Sequence, residues 1–413
     1  MRWIHFDERD PIEAAEHRAY LARIETWWNA FAKKADALDA HFSRRGPIWD
    51  LPAWMNEHLS AIHPALAWEY GRALHINGHR LVITPETLKH LRPMVRSIVN
   101  GAPSIPGWEF YDYRPVESIQ AAEQIAKVRA QSDLTGVLAS ASVGKHNRID
   151  VTFYFPDQGS FSEQRGCEAG FVTAETLLGE QTLDEWIGRV HAKVLPARSR
   201  VSRLMGWTGP PPPDTFPLTS FRASVLELID SIRHKLRPEP WHKHIPVPTG
   251  PNEPIGYTFS RKPEPAADYP GGADIAIASA SDHDLWMAMH TDPGFYSARY
   301  SRHGETFCCL KMDGAEKTFQ ARFDVRCEVE RALVDLLPDQ HAGAITGGAT
   351  GLRYGYIDLA LADVAKAWQL IRERLRNANV PRRSWLLFYD RTLAQEWIGV
   401  YDDSPTPPGM EHP

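Results

Sequence analysis

The histidines in the second half of the chain are the residues whose types and spacing come closest to a reactive site. Asp282, His283 and Asp284 are followed by His290 and Asp292. On a helix, seven residues separate the two histidines by about 10.5 Å along the axis. Bonds from zinc to its ligands are about 2 Å long, so these histidines cannot both bind one ion directly. Asp282 and Asp284 are better explained as acids at the start of a helix, where the positive end of the helix dipole stabilises their charge.

A second candidate pair is His242 and His244, on either side of Lys243. Alternate residues of an extended segment share a face, so both imidazoles could contact one ion. The sequence shows no evident third ligand, and the flanking prolines favour a solvated loop. Together with His283 and His290, these are the metal-ligand candidates of a metal-dependent hydrolase built on the C-terminal half.

Other motifs that could do chemistry are missing from the sequence or have a simpler explanation. Residues 347–351 are glycine-rich, but they precede a strand pattern and predict a turn, whereas a P-loop needs a following helix. There is no nucleophile elbow, HExxH motif or Rossmann fingerprint. Asp358 and Asp363 are a possible carboxylate pair, but Asp363 is expected to cap a helix. We therefore assign no catalytic residue and no cofactor from the sequence.

The cysteines and the apolar segments indicate the compartment. Cys308 and Cys309 are adjacent and should point to opposite faces of a strand, which disfavours a disulfide between them. None of the four cysteines forms a CxxC pair, so a reducing cytoplasm fits best. The first residues lack the apolar core of a signal peptide, and no apolar stretch approaches the roughly 20 residues that span a bilayer. The sequence predicts a soluble cytoplasmic protein without membrane association.

Local patterns predict the elements of the first half. Residues 12–42 carry one apolar helical seam, and a second helix after Gly46-Pro47 completes an N-terminal helical hairpin. Asn77-Gly78 predicts a tight two-residue turn between two strands, because such a turn needs positive φ angles. Thr84 is expected to cap the next helix, and Pro93 should kink it. A further helix is predicted over residues 177–194.

The predicted fold class is α+β. The chain should form two α/β-sandwich-like domains, each with a mainly antiparallel sheet and packed helices. Their expected bounds are residues 1–205 and 220–413, separated by a proline-rich linker at 206–219. In the second domain, residues 317–323 are predicted to be a strand, and Asp363 is predicted to begin a helix.

Part of the first half resembles a known group of proteins. The pattern consists of Ile83-Thr84-Pro85, Ala102-Pro103, Gly107-Trp108-Glu109-Phe110 and Leu177-Leu178-Gly179-Glu180. Over roughly residues 20–195 the chain resembles an uncharacterised family of bacterial domains of unknown function, loosely similar to proteins of polymorphic toxin and immunity loci. The shared motifs are turns and strand starts, so the resemblance implies no functional residue.

Charge and composition bear on possible partners. The net charge of -6 disfavours a protein that gains affinity by neutralising nucleic-acid phosphates. The same charge would steer a basic protein, and the abundant Trp and Tyr residues would make good interface anchors. The leading hypothesis is a bacterial protein that acts by binding a protein partner, a toxin or effector, as an immunity-type inhibitor. The alternative is the metal-dependent hydrolase.

Overall fold

The computed structural model describes residues 2–43, 50–156, 162–195, 212–243, 256–314 and 317–410. These residues form two compact units, of which the first contains Met1–Asp112 and Arg237–Pro413 and the second contains Tyr113–Leu236. The helices are α1 (Pro11–Phe42), α2 (Leu51–Leu59), α3 (Arg92–Asn100), α4 (Ile119–Arg129), α5 (Glu163–Leu178), α6 (Glu180–Trp186), α7 (Leu218–Lys235), α8 (His283–Thr291), α9 (Phe319–Leu333), α10 (Leu336–Asp339) and α11 (Val364–Asn377).

The strands belong to three sheets. They are β1 (Ala67–Arg72), β2 (His79–Thr84), β3 (Trp108–Tyr111), β4 (Leu138–Val143), β5 (Ile149–Phe155), β6 (Ile187–Val194), β7 (Phe216–Pro217), β8 (Tyr257–Ser260), β9 (Ile275–Ala280), β10 (Thr306–Asp313), β11 (Gly343–Gly351), β12 (Tyr354–Leu361), β13 (Ser384–Phe388) and β14 (Trp397–Gly399). The sheet orders are β1-β2-β3, β6-β5-β4-β7 and β14-β13-β10-β12-β11-β9-β8. Most pairs are antiparallel, and the predicted α+β class is confirmed.

The N-terminal helices pack on the three-stranded sheet of the first unit. The apolar seam of α1 is buried, with Trp28 and Phe31 in one core together with Met55 of α2 and Trp108 of β3. The second helix ends at Leu59, and the predicted break at Gly46-Pro47 lies outside the described residues. The helical seam was therefore a sufficient guide to the buried face of α1.

The predicted turn at Asn77-Gly78 is wrong in detail. Strands β1 and β2 do pair antiparallel, but residues 73–78 form a longer loop, and neither Asn77 nor Gly78 has a positive φ. The carboxylate of Glu109 accepts hydrogen bonds from the amides of Leu74, at 2.7 Å, and His75, at 2.8 Å. This distant carboxylate satisfies amides that a tight hairpin would have placed in a sheet ladder.

The prediction for Pro93 is also wrong. Helix α3 begins at Arg92, after a short 3₁₀ turn at Lys89–Leu91, so Pro93 lies in the first turn. A proline is tolerated there because the first amides of a helix have no partner within it. Pro93 therefore starts the helix instead of kinking it.

The seven-stranded sheet of the first unit has two different faces. Helices α9, α10 and α11 cover one face, in a core that includes Leu310, Ile357 and Leu386. The opposite face carries Cys309 and Tyr356 and is covered by α8 and by irregular segments. Cys308 and Cys309 lie in different cores, which confirms that they point to opposite faces.

Two predictions for this sheet are wrong. Residues 347–351 belong to β11 and are not a turn, and their glycines permit close packing: a Cβ on Gly351 would lie 2.3 Å from an oxygen of Asp274. Residues 319–323 begin α9, where Thr318 caps the helix by accepting from the Ala321 amide. The capping threonine therefore starts a helix where the sequence predicted a strand.

The second unit has its own core and its own four-stranded sheet. Phe153 of β5 packs with Phe221 and Val225 of α7. The single helix predicted over 177–194 is wrong, because α5 ends before Gly179, whose φ is 80°, and β6 runs parallel to β5. Gly179 can adopt this angle without a Cβ penalty, and the branched residues of β6 favour a strand.

The two units divide the chain differently from the predicted domains. The sequence placed the boundary at a linker over residues 206–219, of which the structure describes 212–219, and these lie in the second unit. In the first unit the two chain ends meet: the carboxylate of Glu396 accepts from the amides of Trp3, at 2.6 Å, and His5, at 2.9 Å. A proline-rich segment carries no information about such a distant contact.

Candidate functional site

The candidate site is a cavity of about 320 Å³ in the first unit, on the face of the seven-stranded sheet that carries Cys309. We call it the pocket. Its lining includes Arg261, Gly272, His290, Cys309, Leu387 and Tyr389. The volume lies at the lower end of the range for small-molecule sites, and such sites combine an apolar lining with a few converging polar groups.

Regular elements position the polar side chains of the pocket. Asp282 caps α8 by accepting from the Leu285 amide, and His290 lies in the last turn of that helix. The helix is anchored by Trp286, which is 1% exposed and stacks on Phe259 with ring centroids 3.9 Å apart. Asp358 lies within β12. These rigid neighbours hold His290 over the sheet.

His290, Asp358 and Tyr389 form a hydrogen-bonded cluster. The Tyr389 hydroxyl donates to Asp358 Oδ1 at 2.5 Å, and His290 Nε2 lies 3.4 Å from Asp358 Oδ2 and 3.1 Å from the Tyr389 oxygen. Both neighbours of Nε2 present acceptor oxygens, so the hydrogen of the neutral imidazole belongs on Nε2. Nδ1 then carries the lone pair.

The Nδ1 atom of His290 lies beside the lining of the pocket. It lies 3.5 Å from the point where a Cβ on Gly272 would be, and Gly272 lines the pocket. The His290 side chain is only 6% exposed, and Asp358 is fully buried behind it. Among the described residues, none forms a hydrogen bond with Nδ1. A buried base with one nitrogen oriented and the other open is the arrangement that general acid–base catalysis uses.

The other acidic hydrogens near this cluster stay in place at neutral pH. Burial, and then the charge of Asp358, raise the pKa of the Tyr389 phenol well above its usual range. The same two causes raise the pKa of the Cys309 thiol. A thiol held protonated is a poor nucleophile, so Cys309 is better explained as part of the pocket floor.

One wall of the pocket is held by Lys311. Its amine is buried, donates to the carbonyls of Tyr269 and Gly271, the latter at 2.9 Å, and lies 4.1 Å from the centre of the Tyr354 ring. Burial lowers the pKa of this amine from 10.5 to about 8. The segment that Lys311 holds continues into Gly272, next to His290.

The lowered pKa predicts a pH effect on stability. Between about pH 8 and 10.5 the unfolded chain binds more protons at Lys311 than the folded chain, so the contribution of this group to the free energy of unfolding rises with pH. Relative to that of Lys311→Met, the free energy of unfolding of the wild type should therefore rise by about 1 kcal/mol between pH 7 and pH 9. Urea denaturation at both pH values measures this, with the exposed Lys366→Met as control. If the free energies of unfolding of the wild type and Lys311→Met differed by the same amount at both pH values, the prediction would be wrong.

The structure separates the four histidines proposed from the sequence. His290 lies in the pocket, whereas His283 is exposed, with its Nδ1 3.0 Å from Asp284 Oδ1. His242 lies beside the ring of His341, with centroids 5.1 Å apart, and burial lowers its pKa. His244 lies outside the described residues. Within the described ranges, no group of three or more His, Cys, Asp or Glu side chains is arranged to hold a metal ion.

Sequence reasoning missed most of the cluster. The sequence singles out Asp358 only as a partner of Asp363, and the predicted cap by Asp363 is confirmed, because its side chain accepts from the Lys366 amide at the start of α11. No sequence motif marks Tyr389 or Cys309 as a site residue. A possible signal was that Cys309, Asp358 and Leu387 share one side of neighbouring strands, but using it requires the strand register.

A second cavity, of about 390 Å³, lies in the first unit near the two chain ends. Its charged side chains are largely paired with one another: Arg2 with Glu13 at 2.6 Å, and Arg9 with Asp7 at 3.0 Å. Asp402 pairs with Arg9 at 2.7 Å. The Arg9–Asp402 pair ties the first residues to the C-terminal segment, which is a structural role.

Comparisons with known proteins give no family for this chain. Searches against protein-family models, curated proteins and solved structures find no match. The resemblance of residues 20–195 to the bacterial family therefore stays an expectation based on sequence motifs. Within the described residues, no helix combines the length and the apolar character that crossing a bilayer requires.

Proposed function

We propose that the first unit is an enzyme that binds a small organic molecule in the pocket and transfers a proton through His290. The observation that carries this proposal is that Nε2 of His290 is held by Asp358 and Tyr389, while Nδ1 lies beside Gly272 of the pocket lining and has no hydrogen-bond partner among the described residues. The alternative hypothesis from the sequence is also an enzyme, a metal-dependent hydrolase. The function proposed here is likewise enzymatic.

The cluster supports a defined division of roles. Nδ1 accepts a proton from the bound molecule or from a water beside it, and Asp358 stabilises the imidazolium that forms. The hydrogen bond that Tyr389 donates to Asp358 fixes the orientation of this carboxylate. The fully buried carboxylate makes this stabilisation stronger than it would be in water.

The proposal is tested by incubating the purified full-length protein with a bacterial metabolite extract and following compounds by mass spectrometry. The Ala273→Trp variant is the comparison, because Ala273 is exposed and lines the pocket, so a large ring should block the entrance without disturbing the core. We expect a conversion that the wild type performs and this variant does not. A conversion that is equal in both proteins, or no conversion at all, contradicts the proposal.

The same assay separates the proposal from a metal-dependent hydrolase. Activity that is unchanged by EDTA is expected for proton transfer by His290. Activity that is lost with EDTA and restored by zinc would favour the metal-dependent alternative.

Binding of a protein partner is the second candidate function. Phe319 and Phe323 lie one turn apart on α9 and are 41% and 36% exposed. The guanidinium of Arg326 lies 5.0 Å from the Phe323 ring, and aromatic rings with arginine are frequent interface anchors. In its specific form, this candidate is a bacterial cytoplasmic immunity-type protein that inhibits a toxin or effector.

The second candidate predicts that changing both phenylalanines to serine abolishes binding of a partner that co-purifies with the wild type in stoichiometric amount. Val128→Ser is the matched control, because Val128 is 80% exposed on α4 of the second unit. Size-exclusion chromatography with mass spectrometry measures the complex. A complex that survives the double substitution would exclude this surface as the interface.

A further inference from the structure

We infer that the molecule bound in the pocket carries a negatively charged group, such as a carboxylate, on an apolar body. This inference rests on the proposed function and names the ligand class of the same site. Its basis is Arg261, which lines the pocket. The guanidinium lies 5.1 Å from the ring centre of Trp286, and no carboxylate among the described residues forms an ion pair with it.

Among the described residues, the charges around the pocket leave the Arg261 guanidinium without a counter-charge. The one buried carboxylate of the cluster, Asp358, is already occupied by Tyr389 and His290. The Cys309 thiol and the phenols of Tyr356 and Tyr389 keep their hydrogens, because burial raises the pKa of each. A ligand anion would supply the missing charge, and a planar guanidinium binds a carboxylate through two parallel hydrogen bonds.

The side chain of Trp286 lies close to both the cation, Arg261, and the base, His290. The guanidinium carbon of Arg261 lies 5.1 Å from the ring centre of Trp286, and the imidazole centre of His290 lies 4.6 Å from that of Trp286. These two distances limit the separation of cation and base to about 10 Å. A molecule of this length can therefore contact both groups.

The remaining lining fits an apolar body between these two points. Met289 and Leu387 are each 7% exposed and line the pocket together with Met410. Thioether and branched aliphatic side chains adapt to a ring or a short chain. The pocket therefore selects for a small amphipathic acid.

The test measures binding of benzoate and of its neutral analogue benzamide by titration calorimetry. We expect benzoate to bind the wild type about tenfold more tightly than benzamide, and Arg261→Gln to remove this preference. Arg261 is exposed, so the variant should keep its melting temperature. Arg18→Gln, an exposed position on α1, is the matched control and should keep the preference.

The outcomes distinguish this inference from the proposed function. Equal binding of the two probes, no binding of benzoate, or an unchanged preference in Arg261→Gln overturns the anionic ligand class. The proposed function fails separately, when the metabolite extract shows no conversion that depends on an open pocket.

Discussion

The His290→Gln variant is expected to perform the proposed conversion about 100- to 10,000-fold more slowly than the wild type, the range typical for loss of a general acid or base. Glutamine keeps a polar side chain beside Asp358 and Tyr389, but its amide cannot accept and release a proton at neutral pH. The rate of the conversion found with the metabolite extract, measured with wild type and variant at saturating substrate, checks this expectation.

His283→Gln is the matched control for this experiment. His283 lies on the same helix, but its side chain is 50% exposed, whereas that of His290 is 6% exposed. We expect the control to retain wild-type activity and both variants to remain folded by circular dichroism. Full activity in His290→Gln would exclude His290 as the proton-transfer group, and equal losses in both variants would point to α8 and not to the imidazole.

The Trp28→Ala variant is expected to lower the free energy of unfolding by about 3–5 kcal/mol, the usual cost of removing a buried indole. Trp28 is 4% exposed, and its ring meets Phe110 edge to face with centroids 4.7 Å apart. Its indole N–H donates to the carbonyl of Ile98 at 2.8 Å. The substitution therefore opens a cavity and leaves a buried carbonyl without its partner.

Urea denaturation followed by circular dichroism measures this change. Leu21→Ala is the control, because Leu21 lies on the same helix and is 45% exposed. We expect Leu21→Ala to change the free energy of unfolding by no more than about 0.5 kcal/mol. A similar midpoint for Trp28→Ala and wild type would show that this face of α1 contributes little to stability, and would make an interface role for its aromatic residues the better explanation.

The sequence by itself determined the features that depend on neighbouring residues. The helical seam predicted the buried face of α1, and Asp363 predicted the start of α11 through its side-chain cap. Alternation predicted the opposite faces of Cys308 and Cys309. These signals are local because each depends on contacts within a few residues of the chain. The α+β class follows from their sum.

Only the tertiary structure decided which residues meet. His290 and Asp358 are 68 residues apart, and Asp358 and Tyr389 are 31 apart, so their contact depends on the register of β12 and on the docking of α8. Glu396 and Trp3 are 393 residues apart, yet their contact ties the chain ends into one unit. A one-residue shift in register would move Asp358 to the opposite face of the sheet. Because register is set by packing across the sheet and not by local pattern, the pocket was not predictable from the sequence.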